Sequence, residues 1–128
     1  WIKLNPIGKE KIMTELILQN CVPVKATTPA LTELEISELG QKLSGWNLEN
    51  KDSELRLVKV FKFTNFNQAI SFSNQVARIA DDQDHHPALL VEWGKVTVNW
   101  WTHVIHGLHL NDFIMAAKTD QLFTSHTS

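Results

Sequence analysis

A single cysteine, Cys21, stands among the 128 residues of the chain. Without a second thiol no intramolecular disulfide can form, and a reducing cytoplasm is the compartment this composition suggests. Long apolar runs are lacking too. None approaches the roughly 20 residues a bilayer-spanning helix requires, and no basic start leading into a long apolar stretch marks a secretory signal, so no membrane role is expected. Nor is there an excess of either charge: 12 Lys and Arg against 14 Asp and Glu leave a formal net charge of -2. That balance argues against direct nucleic-acid binding through a broad basic surface and leaves small molecules or other proteins as partners. The fingerprint of a nucleotide-binding α/β fold is also missing. What is present is enough length for one domain that buries a real core without disulfide or metal staples.

Pro6, Pro23 and Pro29 all fall in the first thirty residues, where the short apolar segment 12–18 has no clear partner. Residues 1–30 therefore read as an N-terminal extension outside the functional argument. Met13 is a candidate natural start, with Trp1 to Ile12 contributed by upstream or cloning sequence. The domain proper is expected over 31–123, followed by a polar, frayed tail at 124–128. Thr32 and Glu35 have capping-box spacing and introduce a stripe of Leu34, Ile36, Leu39 and Leu43 that Gly45 ends, a first helix. Two strands follow, Trp46 to Glu49 and Glu54 to Phe63, around the polar turn 50–53. In the second, Leu55, Leu57, Phe61 and Phe63 share one face, interrupted by Lys59. Thr64-Asn65 offers a cap for a second helix to about Ala80, with Phe66, Ala69, Ile70, Ser73, Val76, Ala77 and Ala80 predicted to face inward. Leu89 to Trp93 and Lys95 to Thr102 form a second hairpin around Gly94, and a third helix starts at Asn111. The pattern predicts an α+β fold: a four-stranded antiparallel sheet with helices on one face, in the order α-β-β-α-β-β-α.

Chemistry is concentrated in Asp81-Asp82-Gln83-Asp84-His85-His86-Pro87, answered sixteen residues later by His103 and then by Asp112. Imidazole exchanges protons near neutral pH with little tuning, its ordinary pKa being about 6.5, and a neighbouring carboxylate can fix its tautomer. Pro87 pushes His86 out of helical backbone, so an irregular rim that turns both rings toward a cleft is expected rather than a flat strand. Aspartates at a helix C-terminus oppose the helix dipole, and a local rule broken beside a histidine pair points to a site. Asp82 and Asp84 read as a solvated acidic turn.

The residues Asp81, His85-His86-Pro87, Trp93, His103 and Asp112 resemble the pattern of the pterin-4a-carbinolamine dehydratases, known in animals as dimerisation cofactors of a homeodomain transcription factor. That pattern has an acidic or similar residue, three spacers, two histidines and a proline, an aromatic after five or six residues, a histidine after nine intervening residues, and an aspartate after at least eight. The resemblance covers about Leu31 to Asp120. It implies dehydration of 4a-hydroxytetrahydrobiopterin to quinonoid dihydropterin and water, in tetrahydropterin recycling, with no cofactor. By residue-wise carry-over, His85 and His103 are the acid–base pair and His86 holds and polarises the substrate. Asp81, Pro87, Trp93 and Asp112 bind the pterin or orient the imidazoles. The family also implies a homodimer or homotetramer. A non-catalytic pterin-binding or scaffolding role on the same fold is the alternative. Trp100, Trp101, His106 and His109 fall outside the pattern and bear on pocket shape.

A metal site made of His103, His106 and His109, which recur every three residues, is not expected. Residues three apart on a strand face opposite sides, and Gly107 would break a helix through the set.

Overall fold

The computed structural model describes residues 15–127, so Met13 and the segment before it lie outside the described residues. Along the chain run α1 (Glu33–Gly40), β1 (Asn47–Lys51), β2 (Glu54–Lys62), α2 (Phe66–Gln83), β3 (Ala88–Glu92), β4 (Lys95–Trp100), a 3₁₀ turn at His103–Ile105 and α3 (Leu110–Thr127). Two hairpins join through β2 and β4 into one antiparallel sheet of four strands, ordered β1-β2-β4-β3. The α+β expectation holds.

Register decides which residues build the core. Leu57 pairs with Trp100 and Phe61 with Val96, and because side chains alternate along a strand these pairs share one face with Val98. That face is buried against Phe72 and Val76 of α2 and Phe113, Ala116 and Ala117 of α3. Lys59, the interruption in the pattern, lies on the same face. Its ammonium reaches Asp120 of α3 at 2.8 Å and the Ser44 carbonyl at 3.1 Å, which lets its stem cover apolar surface.

Four expectations are corrected. The inward face of α2 is Ala69, Phe72, Ser73, Val76 and Ala80, whereas Phe66 and Ile70 are exposed; the true stripe is rotated to bring the large Phe72 ring between Phe61 and Phe63. The first helix ends at Gly40, and Gly45 sits beyond it in a turn at φ 83°, a left-handed conformation that suits glycine. The tail is not frayed through Thr127, because α3 continues to that residue. Finally, the part of the N-terminal extension from residue 15 onward joins the domain. Leu16 is buried in the common core, with Ile17 and Cys21 packed against it.

Candidate active site

The end of α2 delivers the histidine pair. Asp84 takes a left-handed conformation (φ 51°, ψ 43°), its backbone N–H donates to the carbonyls of Ala80 and Asp81, and the His85 N–H donates to the Ala80 carbonyl at 3.1 Å. This closes the helix in the manner of a Schellman turn, with aspartate where glycine is commonest. The acidic end that offends the helix dipole is therefore also a stop signal, and it swings His85 and His86 off the helix axis.

His85 then meets the first turn of α3. Its Nε2 lies 2.6 Å from Asp112 Oδ1, and its ring stacks on Trp100 with centroids 5.8 Å apart. Asp112 is fully buried, and its other oxygen accepts from Thr102 Oγ1 at 2.8 Å and from the His109 backbone N–H at 3.0 Å. The Asn111 N–H in turn donates to His109 Nδ1 at 3.0 Å. His109 and Asp112 thus cap the helix reciprocally, with an imidazole in the role usually taken by serine or threonine. Burial holds the His109 imidazole below its ordinary pKa, with the His85 charge acting in the same direction and the Asp112 charge against both. A neutral ring is what an Nδ1 acceptor requires.

His103 and His106 are presented by a closed loop. Thr102 and Gly107 form a bridge across its base, a 3₁₀ turn spans His103–Ile105, and His106 adopts a left-handed conformation at φ 52°. Both rings turn to one carboxylate. His103 Nδ1 is 3.0 Å and His106 Nδ1 2.9 Å from Glu54 Oε2. Glu54 opens β2 directly after the turn residues Asp52 and Ser53, both at positive φ as a two-residue hairpin requires. Burial is the largest single influence on its carboxyl and works against ionisation. Contacts from His106 and His103 together outweigh that effect and hold it below the usual carboxylate range.

Between these two groups lies a cleft of about 390 Å³ lined by His85, His86 and His103, with Thr102, Trp101 and Asn111 among its other walls. Val22, Pro23 and Val24 close one side. Their segment is fastened by Asn111, whose side chain accepts from the Val22 N–H at 3.1 Å and donates to the Val22 carbonyl at 2.7 Å, and by the Cys21 N–H bond to Gln83 at 2.7 Å. A segment set aside on sequence grounds is thus a wall of the site. Burial, reinforced by the Asp112 charge and opposed by Lys118, raises the Cys21 thiol to about 11, so it is not a thiolate nucleophile at neutral pH.

Of the sequence-predicted residues, His85, His86 and His103 converge on the cleft. Asp112 lies behind His85, and Asp81 holds His86 at 3.0 Å on the exposed rim. Pro87 precedes β3 outside the lining. Trp93 is not brought to the cleft: it sits exposed in the β3–β4 turn beside Gly94. The aromatic in the wall is Trp101, whose ring carries the Arg56 guanidinium 3.6 Å from its centroid, an arrangement that orders the indole. Glu54 was missed altogether, since nothing local marks a carboxylate 49 residues before its histidine partner.

Comparison with known proteins identifies the family. A family model described as pterin 4 alpha carbinolamine dehydratase matches residues 29–122. A protein of Microcystis aeruginosa named "Putative pterin-4-alpha-carbinolamine dehydratase" is 51% identical over 111 residues, which cover 87% of this chain and 96% of that protein. A crystal structure from Brucella melitensis, described as a transcriptional coactivator/pterin dehydratase, is similar with a TM-score of 0.66 at 33% identity, over 73% of this chain and 98% of the other.

Proposed function

The chain belongs to the pterin 4 alpha carbinolamine dehydratase family, and from that premise we propose that it dehydrates a 4a-hydroxytetrahydropterin by histidine acid–base catalysis in the cleft described above. One proton must leave a ring nitrogen and one must reach the departing 4a-hydroxyl. The C4a–O bond breaks with its electron pair on oxygen, the N–H pair moves in to form the C=N bond of the quinonoid dihydropterin, and water leaves with no net oxidation. A reductase is then needed to return the product to tetrahydropterin, which sets the activity in the recycling that follows an aromatic hydroxylation.

The observation that carries this reading is the convergence of three imidazoles from two separate segments on one cleft. Their tethers divide the work. His103 has Nδ1 against Glu54 and keeps Nε2 for substrate, while His85 has Nε2 against Asp112 and keeps Nδ1. Each carboxylate fixes one ring nitrogen, so proton transfer is confined to the other. His85 and His103 form the acid–base pair, and His86, oriented by Asp81, holds the substrate near its hydroxyl. Glu54 and Asp112 are positioning residues, and Trp101 offers a flat apolar wall to the pterin. No helix among the described residues is long and apolar enough to cross a membrane; a cytoplasmic homo-oligomer completes the reading.

The test is the rate of dehydration of freshly generated 4a-hydroxytetrahydropterin, followed by ultraviolet absorbance, for wild type, His103→Ala and buffer alone. Wild type is expected to accelerate the reaction and His103→Ala to lose about 10² to 10⁴ of that acceleration while remaining folded. No acceleration by folded wild type would overturn the reading in favour of pterin binding or protein interaction without catalysis.

A further inference from the structure

We propose that Glu54, His103 and His106 form a binding site for a divalent transition-metal ion of the zinc class, sharing one residue with the catalytic cleft. Their ligand atoms, one carboxylate oxygen and two imidazole nitrogens, lie within 4.8 Å of one another. Both Nδ1 atoms already converge on the same oxygen, at 3.0 and 2.9 Å. Neighbouring ligands around a tetrahedral zinc with bonds near 2.0–2.1 Å stand about 3.3 Å apart, so each imidazole needs to withdraw from Glu54 Oε2 by only a few tenths of an ångström, with the two ring nitrogens, within 4.8 Å of each other, settling to the same spacing.

The objection raised by the sequence does not apply. It treats the segment as a strand, on which His103 and His106 would point apart, but His103 opens a 3₁₀ turn that His106 caps in a left-handed conformation, and both rings reach Glu54 Oε2. His109 is excluded from the set because its Nδ1 caps α3. His106 is held at positive φ beside Gly107, a conformation uncommon for a side-chain-bearing residue, and this conformation turns its ring to Glu54.

The donors also define the ion. Two neutral imidazoles and a carboxylate favour zinc, cobalt, nickel or copper over magnesium and calcium, which prefer oxygen. The carboxylate is almost buried, whereas the imidazole side chains are 76% and 71% exposed, so an ion can approach from solvent and one face of its coordination sphere stays open. A dication would replace the two ring protons that now serve Glu54 Oε2. Each displaced proton moves to Nε2 of its ring, and His103 bound through Nδ1 could no longer accept a proton at Nε2, so the ion would act as an inhibitor. That last consequence rests on the catalytic reading of His103; the binding does not.

The experiment is titration of the apo protein with Co²⁺, followed by visible absorption, and with Zn²⁺ by calorimetry, for wild type, His106→Asn and His109→Ala. Asparagine tolerates positive φ and is a poor zinc ligand; thermal melts verify that each variant is folded. Wild type and His109→Ala are expected to bind one equivalent, and His106→Asn to bind about 10-fold more weakly or worse. An excess of Mg²⁺ should not compete. Absence of binding by wild type, or an affinity in His106→Asn within two-fold of wild type, would overturn the site. In the dehydration assay, with each protein compared to its own metal-free rate, Zn²⁺ should inhibit wild type and spare His106→Asn. If Zn²⁺ binds in one equivalent and is lost in His106→Asn yet leaves wild-type turnover intact, the site stands and the catalytic role of His103 falls.

Discussion

Two histidine–carboxylate pairs face each other across the cleft, and they are built in opposite ways. In the His85–Asp112 pair the imidazole is 12% exposed and the carboxylate not at all. Trp100 covers the ring, Thr102 takes the second oxygen, and the first turn of α3 adds a backbone N–H. In the His103–Glu54 pair the carboxylate is nearly buried but the imidazole is 76% exposed. Fixing both members in a low-dielectric setting gives geometry that cannot drift, at the cost of access. Anchoring only the carboxylate leaves a ring that is oriented at one nitrogen and free for ligands at the other. One cleft thus contains a rigid wall and an accessible one.

The largest test of this contrast lies on the accessible wall, in the loss of about 10² to 10⁴ in turnover expected for His103→Ala with stability retained. Asp112→Ala should do the reverse and unfold the protein first. It strands His85, the Thr102 hydroxyl and a backbone N–H inside the fold, and denaturant titration should show a loss of about 3 kcal/mol. A loss below about 1 kcal/mol would mean that the buried wall is less rigid than it looks. Glu54→Gln keeps the shape but weakens the hold on His103, and should cost about 10-fold in kcat, far less than the roughly 10⁴ lost with a buried triad aspartate. Its KM should not change, and a rise in KM alone would assign Glu54 to substrate binding.

The smallest effect is at the cap between the two walls. His109→Ala should destabilise by about 1 kcal/mol, the usual worth of an N-cap. Because the folded-state pKa of His109 lies below that of the unfolded chain, the unfolded chain takes up its proton first as pH falls. The stability contributed by the neutral ring is therefore present above about pH 6.5 and is lost on acidification through the folded pKa. Wild type should show this acid decline in melts across the series, and His109→Ala should show less of it.

Much of this could be read along the chain. The spacing from Asp81 to Asp112 is local information, because the turn after α2, the β3–β4 hairpin and the start of α3 are consecutive elements whose lengths set where the residues fall. The capping box at Thr32 and Glu35 forms as expected. Other features were not legible. Trp93 fits the spacing but stands outside the cleft lining, in a solvent-exposed hairpin turn. The phase of α2 was misjudged because Phe66 and Phe72 are equally apolar, and only packing against Phe61 and Phe63 decides which is buried. Val22 to Val24 carry no chemical signature; their part in the site depends on Asn111, 89 residues away.

The sequence by itself determined the α+β class and its four-stranded antiparallel sheet, which follow from periodicity, and, through the resemblance of a motif, the family and three histidines that line the cleft. The tertiary structure alone decided which carboxylate serves which imidazole. Asp112 was in the pattern, but Glu54 reaches His103 only because β2 pairs with β4 and brings the start of one strand beside the loop that follows the other. Such pairings between distant segments depend on the closure of the whole core, and no local spacing encodes them.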